Sequence, residues 1–150
     1  MDIKKSILDI IPEVIRIRRE FHAHPELSGK EIETNKRICM YLDKYGIEYK
    51  SGYAGNGVVG IIRGAEEGKT VGIRADIDAL PICENNDLEY KSVNEGVMHA
   101  CGHDAHTAIM LGTAIILKKM EQELRGNVKF FFQPQEEAIG GAEPMIKEGC

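Results

Sequence analysis

Apolar residues recur with helical spacing near the start of the chain and predict a helix over residues 3–23. One buried stripe is predicted from the i, i+3, i+4 positions Ile7, Ile10, Ile11, Val14, Ile15 and Arg18. Pro12 falls inside this stripe, so a start near Ile11 with Pro12 in the first turn is the alternative. Pro25 ends the helix, because the residue before a proline avoids the helical conformation.

A second helix is predicted after Ser28, because Ser28 and Glu31 have the spacing of a capping box. Its apolar stripe consists of Ile32, Ile38, Cys39 and Leu42. Gly46 is a natural terminator of this helix. Cys39 is therefore predicted to lie in the core and not to be a reactive thiol.

Alternating or β-branched runs predict strands over residues 47–50, 58–62 and 70–74. The polar segment 66–69 predicts a hairpin-type turn between the last two strands, with Gly68 supplying a positive φ. The strand over residues 70–74 is apolar, and we expect it to lie in the interior of the sheet.

The second half of the chain predicts one long helix and one aromatic strand. Residues 83–96 show no core stripe and predict a long irregular loop. From Asp104 onward the chain is apolar almost all round, as in a helix that is buried against a sheet. Asn127–Phe132 predicts a central strand, and a short helix follows from Gly140 and closes at Gly149.

Composition and charge narrow the class of protein. The chain has 150 residues, of which 43% are hydrophobic and 29% are charged, as in a soluble globular domain with a core. Its net charge of -5 argues against a nucleic-acid groove, which needs a concentrated basic face. The cluster Arg16, Arg18 and Arg19 is interpreted as one solvated side of a helix. No run approaches the ~18 apolar residues of a membrane span, so no membrane partner is expected.

The four cysteines, Cys39, Cys83, Cys101 and Cys150, show no CxxC spacing and no disulfide framework. A reduced, cytoplasmic protein is therefore expected. The apolar run near the start of the chain is too short, and its surroundings are too charged, for the core of a signal peptide.

Potential metal ligands are concentrated in Val97–His106, which contains three of the five histidines, one cysteine and one aspartate. Cys101 and His103 can point the same way from an extended stretch, and thiolate with imidazole suits Zn²⁺ or a similar ion. A helix that begins near His103 would favour the Cys101 thiolate through its partial positive charge. His106 lies one helical turn after His103, where it either supports a metal ligand or is a packed histidine. His99 is close to these residues in the sequence, and no role is predicted for it.

Carboxylates at two strand ends form the second group of candidates. Asp76 and Asp78 alternate along an extended chain and so share one side, where a cation or hydrogen-bond donors must offset their repulsion. Ligands bind at such strand ends in open α/β sheets, although a solvated turn is the alternative. In Glu136-Glu137, one residue can ligate a metal while the other holds an attacking water, but alone this pair is a weak signal.

Four motifs in order, at residues 24–28, 75–81, 98–107 and 133–137, resemble the M20 family of metal-dependent peptidases and amidohydrolases. The nearest group is the N-acyl-amino-acid amidohydrolases, which include hippurate hydrolase and the plant indoleacetyl-amino-acid hydrolases. The resemblance implies a zinc-exopeptidase-like, three-layer α/β/α fold with a mixed sheet. It also implies hydrolysis of the amide between an acyl group and an amino acid, a small-molecule substrate, at two ions of zinc, manganese, nickel or cobalt.

Residue by residue, the resemblance implies that Cys101 and His103 are a pair of metal ligands and that Glu137 is another. Glu136 corresponds to the general base that activates the attacking water, and Asp78 to an aspartate that supports a metal ligand. Asp76 stands where many relatives have a histidine ligand, so its role stays open.

In length this sequence differs from the family that it resembles, whose members are more than twice as long. We expect residues 1–150 to be a truncated, N-terminal part of the catalytic domain, without the dimerisation or lid domain and the C-terminal catalytic segment. The family's two remaining histidine ligands would lie beyond Cys150, and His22, His24, His99 and His106 do not occupy their positions. This chain alone is expected to bind metal weakly and to be nearly inactive, and the full-length form is expected to be a homodimer.

Two other functions remain as alternatives. One is a thiol hydrolase with Cys101 as the nucleophile and His103 or His106 as the base. The other is a non-catalytic fragment that binds a metal or a partner, for which the missing histidines are the best argument.

Overall fold

Four helices and four strands make up the computed structural model, which describes residues 2–138 and 140–150. In chain order they are α1 (Ile3–Ala23), α2 (Ile32–Lys44), β1 (Glu48–Tyr53), β2 (Gly57–Arg63), β3 (Glu66–Asp76), α3 (His103–Lys119), β4 (Arg125–Gln133) and α4 (Ala142–Lys147). A single 3₁₀ turn at Glu121–Glu123 joins α3 to β4. No helix within the described residues is long and apolar enough to cross a membrane.

The sheet is mixed and has the order β1-β2-β4-β3. β2 pairs antiparallel with both β1 and β4, whereas β3 pairs parallel with β4. The aromatic strand therefore lies inside the sheet, as the sequence predicts. Because β3 and β4 run in parallel, their carboxyl ends meet at one edge of the sheet, where ligands bind in open α/β folds.

Alternation along β4 separates the two faces of the sheet. Phe130 and Phe132 are fully buried against α1, α2 and α3, in the main core. Phe131 points to the opposite face, where it packs with Val59 and with Met145 of α4. The result is the predicted three-layer α/β/α arrangement around a mixed sheet.

The first helix begins earlier than the proline-based alternative predicts. It starts at Ile3, where the Asp2 side chain accepts a hydrogen bond from the Lys5 backbone N–H at 3.1 Å, and it continues through Pro12. The stripe is also shifted from its predicted position, since the buried side consists of Ile17 and Phe21 with Ile10 and Val14 packed beside them. The predicted core positions Ile7, Ile11 and Ile15 are exposed.

The predicted capping box at the start of α2 is wrong. Glu26 caps this helix instead, because its carboxylate accepts hydrogen bonds from the backbone N–H groups of Glu33 and Thr34. Ser28 and Glu31 direct their side chains to other partners, Asp78 and the turn after β4. Partners that are distant in the sequence thus bind the two side chains that the capping-box spacing assigns to the helix start.

The predicted hairpin turn at residues 66–69 is also wrong. These residues belong to β3, and β4 lies between β2 and β3, so the two strands never form a hairpin. Gly68 has no positive φ. It is required for a different reason, since a Cβ on Gly68 would lie 2.9 Å from the backbone nitrogen of Gly126.

Within residues 2–138 and 140–150, the strand that is predicted to lie in the interior over residues 70–74 is at the edge of the sheet. β3 is an edge strand of the described sheet, and Val71 in it is 57% exposed. Its last two residues, Ala75 and Asp76, are buried, so β3 becomes an interior element only where it approaches α3.

Candidate metal centre

Three backbone segments bring the candidate residues together at one edge of the sheet. The end of β3 carries Asp76 and Asp78, the turn after β4 carries Glu136 and Glu137, and the first turn of α3 carries His103. This convergence follows from the parallel pairing of β3 with β4, in which Asp76 lies opposite Gln133.

His103 is the centre of the arrangement, and its ring is fixed in orientation. It is 2% exposed, and its Nδ1 donates a hydrogen bond to the backbone carbonyl of Asp78 at 2.9 Å. A carbonyl can only accept, so Nδ1 carries a proton, and in the neutral ring, the form that binds a metal, Nε2 then holds the lone pair. Such an outer hydrogen bond orients histidine ligands in metal sites, and it leaves Nε2 available for a cation.

Carboxylate oxygens surround the His103 Nε2 at distances that are too long for hydrogen bonds. Asp76 Oδ2 lies at 3.5 Å, Glu137 Oε1 at 3.6 Å and Glu136 Oε2 at 3.9 Å. Ligands about 2.0–2.3 Å from a tetrahedral zinc ion lie roughly 3.3–3.8 Å from one another. The spacing of these atoms therefore suits a bound cation.

One group of possible ligands consists of Cys101, His103 and Glu137, whose donor atoms all lie within 4.8 Å of one another. Glu137 Oε1 is buried and has no hydrogen-bond partner among the described residues. An unpaired buried carboxylate oxygen is costly, and a cation would satisfy it. The three ligands predicted from the sequence thus fit a metal ion, although their roles stay predictions.

A second group consists of Asp76, His103 and His106 and meets the same 4.8 Å limit. Here the acid already has partners, since Asp76 lies 2.6 Å from His106 Nδ1 and 3.0 Å from Arg74 Nη1. The His106 ring is exposed and stacks on the His103 ring at 5.7 Å. Of the two alternatives for His106, a packed histidine does not fit its exposed ring, and its contact with Asp76 leaves a supporting role as a prediction.

The Asp78 carboxylate connects three segments of the site through its contacts with Ser28, His103 and the turn after β4. Its carboxylate accepts hydrogen bonds from Ser28 Oγ at 2.6 Å and from the Glu137 backbone N–H at 2.9 Å. Burial would raise the pKa of Asp78, but His103, Ser28 and these backbone donors outweigh burial and lower it well below its ordinary value. Asp78 is thus held ionised between His103 and the turn that carries Glu137.

The expectation that the start of α3 favours a Cys101 thiolate is wrong for the metal-free site. The neighbouring Glu137 carboxylate, followed by the charges of Asp76 and Glu136, raises the pKa of the exposed Cys101 thiol. The carboxylates outweigh the partial charge of the helix terminus because they are whole charges close by. Cys101 is thus poorly suited to be a free nucleophile.

His103 responds to the same acids in the opposite direction. Burial alone would lower the pKa of its ring, but Asp78 and Asp76 raise it above the ordinary value. Both effects show a site with excess negative charge around one buried imidazole. A divalent cation would neutralise that charge.

A second buried cluster, which the sequence analysis missed, forms around His22 and contacts the first turn of α3 through Asp104. His22 is 3% exposed, with Nδ1 2.8 Å from Asp104 Oδ2 and Nε2 3.0 Å from Glu84 Oε1. Arg18 Nε lies 2.8 Å from the same Asp104 oxygen, so placing Arg18 on a solvated helix side is wrong. The i, i+4 spacing of Arg18 and His22 was the one local signal, because Asp104 is far away in sequence.

The other histidines of the sequence lie outside both groups of candidate ligands. His24 Nδ1 lies 2.9 Å from the Glu20 carbonyl at the end of α1. His99 is buried, and neither of its ring nitrogens has a hydrogen-bond partner within the described part of the chain. Burial lowers the pKa of His99 to about 4, so its ring is neutral at pH 7.

Comparison with known proteins decides the family. Residues 72–150, slightly more than half of the chain, match the profile of peptidase family M20/M25/M40. The chain belongs to this family. The matched residues of this M20/M25/M40 chain include Asp76, Asp78, Cys101, His103, Glu136 and Glu137.

Named relatives agree with this membership. Thermostable carboxypeptidase 1 of Saccharolobus solfataricus is 49% identical over 98% of the chain, and the N-acyl-L-amino acid amidohydrolase of Geobacillus stearothermophilus is 44% identical over 99%. The crystal structure of the Bacillus subtilis YXEP protein, a dinuclear metal binding peptidase, superposes on 97% of the chain with a TM-score of 0.89 and 44% identity. The chain spans 38–40% of the length of these relatives.

Proposed function

We propose that the protein is a metal-dependent hydrolase that cleaves the amide bond of N-acyl amino acids. The observation that carries this proposal is the oriented His103 Nε2, which faces Cys101, Glu137 and Glu136 in one M20/M25/M40 site. The names of two relatives support the choice of substrate. One is an N-acyl-L-amino acid amidohydrolase and the other a carboxypeptidase, and both names describe cleavage of an amide next to an amino acid.

Cys101, His103 and Glu137 would hold one ion, and Asp76 and His106 lie where a second ion could be contacted. Thiolate and imidazole ligands favour zinc, with manganese, nickel and cobalt as the alternatives. Divalent ions in such sites polarise the carbonyl and lower the pKa of water. The YXEP protein, described as dinuclear, supports the expectation of two ions.

Glu136 is the proposed general base. Its carboxylate is 40% exposed and lies 3.9 Å from His103 Nε2, so it borders the centre while remaining open to solvent and substrate. It would take a proton from the water that attacks the amide carbonyl. When the C–N bond breaks, the same proton would pass to the leaving amine.

Asp78 is proposed to position the reacting groups without touching the substrate. It contacts the His103 ring and accepts a hydrogen bond from the backbone N–H of Glu137, so one carboxylate aligns two of the proposed ligands. Outer partners of this kind typically contribute 10–100-fold in metal affinity or activity.

The test uses the full encoded protein, depleted of metal and then reconstituted with zinc, manganese, cobalt or nickel. Release of free amine from a panel of N-acetyl and N-benzoyl amino acids measures activity, and the bound metal is counted in the same samples. We expect activity only with metal, and loss of about 10²–10⁴-fold in kcat for Glu136→Gln with the metal content unchanged.

Two results would contradict the proposal. Activity that survives a chelator but not an alkylating agent would indicate the thiol hydrolase, with Cys101 as its nucleophile. Full metal binding without hydrolysis of any substrate in the panel would indicate a binding module.

A further inference from the structure

Glu31 is a fully buried carboxylate that the local sequence pattern assigns to the wrong partner. It precedes α2 and is 0% exposed, yet its side chain makes no capping hydrogen bond to that helix. Its Oε1 accepts a hydrogen bond from the Gln135 backbone N–H at 2.9 Å, and its Oε2 accepts one from Asn56 Nδ2 at 3.0 Å. Glu31 therefore binds the turn after β4, 104 residues further along the chain.

The burial of Glu31 has a cost that α2 does not explain. A buried carboxylate loses its hydration, and hydrogen bonds to the ionised form must replace it. The start of α2 is already satisfied, since Glu26 accepts hydrogen bonds from Glu33 and Thr34. The contacts that do satisfy Glu31 are those to Gln135 and Asn56, so its place in the fold is tied to the turn after β4.

The backbone of this turn is itself unusual. Gln135 has φ +59, in the left-handed region that residues with a side chain rarely adopt. This conformation redirects the chain as it leaves β4, and Glu136 and Glu137 then face His103. Such a conformation persists when surrounding contacts hold it, and it commonly occurs at functional sites.

Two buried carboxylates hold the turn on either side of Glu136. Glu31 accepts the N–H of the preceding residue, Gln135, and Asp78 accepts the N–H of the following residue, Glu137. Charged acceptors make backbone hydrogen bonds of this kind stronger than neutral acceptors do. Glu136 itself is exposed, so its neighbours' backbone N–H groups are held by these two anchors while its own side chain stays open to solvent.

We propose that Glu31 is a positioning residue of the active site, which fixes the left-handed Gln135 turn and thereby aims Glu136 and Glu137 at His103. This inference rests on the proposed function for its kinetic consequence. Its structural part, the anchoring of the turn by Glu31, can be measured without any catalysis.

The test compares three variants of the full encoded protein: Glu31→Gln, a double variant that adds Asn56→Asp, and the control Glu26→Gln. Glu31→Gln keeps the volume but replaces the charged acceptor of the Gln135 N–H by a weaker neutral oxygen, and its new amide donor faces Asn56 Nδ2 unless the Asn56 amide turns over. Adding Asn56→Asp supplies an acceptor at position 56, so the double variant can rebuild both hydrogen bonds. Glu26→Gln is the control, because it changes a carboxylate of the same segment that caps α2.

Amide hydrogen exchange at Gln135 is the first measurement. We expect it to accelerate at least about 10-fold in Glu31→Gln, to return toward the wild-type rate in the double variant and to stay unchanged in Glu26→Gln. In the control, exchange should accelerate at Thr34 instead. Unchanged exchange at Gln135 in Glu31→Gln would overturn the proposal. Should Glu31→Gln fail to fold, Asn56→Ala, which removes only the second anchor of the Glu31 carboxylate, is measured in its place and must also accelerate this exchange.

Kinetics and metal affinity are the second measurement. Glu31→Gln should lower kcat about 10–100-fold with little change in KM, and should weaken metal binding, whereas the double variant recovers both. Equal losses of kcat in Glu31→Gln and Glu26→Gln, in step with their melting temperatures, would show a merely structural role and overturn the proposal. If the wild type hydrolyses no amide, the proposed function fails, while exchange at Gln135 and metal affinity still decide the role of Glu31.

Discussion

Two clusters of histidine and carboxylates meet at the first turn of α3, and they differ in how completely their buried polar atoms are paired. Consecutive residues supply them, His103 to one and Asp104 to the other. In the His22 cluster, both ring nitrogens, both Asp104 oxygens and both Glu84 oxygens lie within hydrogen-bond distance of a partner. In the His103 cluster, Glu137 Oε1 and Asp78 Oδ1 make no hydrogen bond to any described residue.

This difference separates a structural cluster from a ligand-binding one. Both clusters contain a buried histidine among carboxylates, so that feature alone does not identify the site. What differs is the distance, since the His22 contacts are 2.8–3.0 Å whereas Nε2 of His103 stands 3.5–3.9 Å from three carboxylates. In the His22 cluster every polar group has a hydrogen-bond partner, as is typical of a cluster that stabilises the fold. In the His103 cluster the carboxylate oxygens around Nε2 are not hydrogen-bonded to it, which leaves room for a cation.

The largest effect is expected from a pair of equivalent changes, His103→Gln and His22→Gln. His103→Gln removes the nitrogen that both candidate metal groups share, so metal binding and activity should both fall below about a thousandth of the wild type. His22→Gln should retain activity per folded molecule while the protein unfolds at lower temperature. Metal content, kcat and thermal unfolding are measured on both variants. If the two variants behave alike, the distinction between a ligand-binding and a structural cluster is refuted.

The next largest effect concerns Glu137→Gln in the metal-free protein. Removing one negative charge from an unpaired, buried oxygen should stabilise the metal-free fold by about 1 kcal/mol. The same change should weaken metal binding, because a ligand is lost. Denaturant unfolding with and without zinc measures both effects. If Glu137→Gln lowers the stability of the metal-free protein, Glu137 Oε1 is not a costly unpaired acceptor.

An effect confined to stability and dependent on pH is expected from Glu84→Gln in the His22 cluster. Burial raises the pKa of Glu84, but hydrogen bonds from the Ser92 N–H, His22 and Asn86 lower it from 4.5 to about 2. A lowered pKa stabilises the fold above the ordinary value, and this contribution is lost as pH falls through about 2. Glu84→Gln should therefore cost about 1–3 kcal/mol at pH 7, and the difference from wild type should shrink between pH 4.5 and 2.

Unfolding free energies at a series of pH values measure this difference. Glu33→Gln on the exposed face of α2 is the matched control, since its exposed carboxylate forms an ion pair with the exposed Lys36. A difference for Glu84→Gln that stays constant down to pH 2 would contradict the role assigned to the ionised Glu84.

The smallest effect is expected from His106→Asn. Its ring is exposed and contacts Asp76 while His103 remains in place, so kcat should fall by about 10-fold or less. Stability should change little, because surface substitutions are usually within about 0.5 kcal/mol. A loss of metal as large as that of His103→Gln would instead make His106 a principal ligand.

The sequence predicted the parts of this molecule that depend on local spacing. The alternating phenylalanines of β4, the apolar α3 and the Cys101-Gly102-His103 spacing each needed only a few consecutive residues. Asp76, Asp78, Glu136 and Glu137 were predicted because they follow strands, and parallel pairing of β3 with β4 brought them to one edge. Their chemical roles stay predictions.

The errors come from competition between local patterns and distant partners. Ser28 and Glu31 have the spacing of a helix cap, but Asp78 and the Gln135 N–H bind them instead. The polar turn predicted around Gly68 is a strand, because β4 inserts between β2 and β3 from the other half of the chain. Asp104 is separated from His22 by 82 residues, so no window of sequence contained that pair.

The junction between His103 and Asp104 has a consequence for engineering this protein. Heat tolerance and substrate preference should respond to separate libraries of variants, the first drawn from α1 and residues 83–96, the second from the ends of β3 and β4. At residues 103 and 104 the two libraries meet in one peptide unit, so a gain in one trait there is expected to cost the other. Designs that leave this dipeptide untouched can combine both libraries.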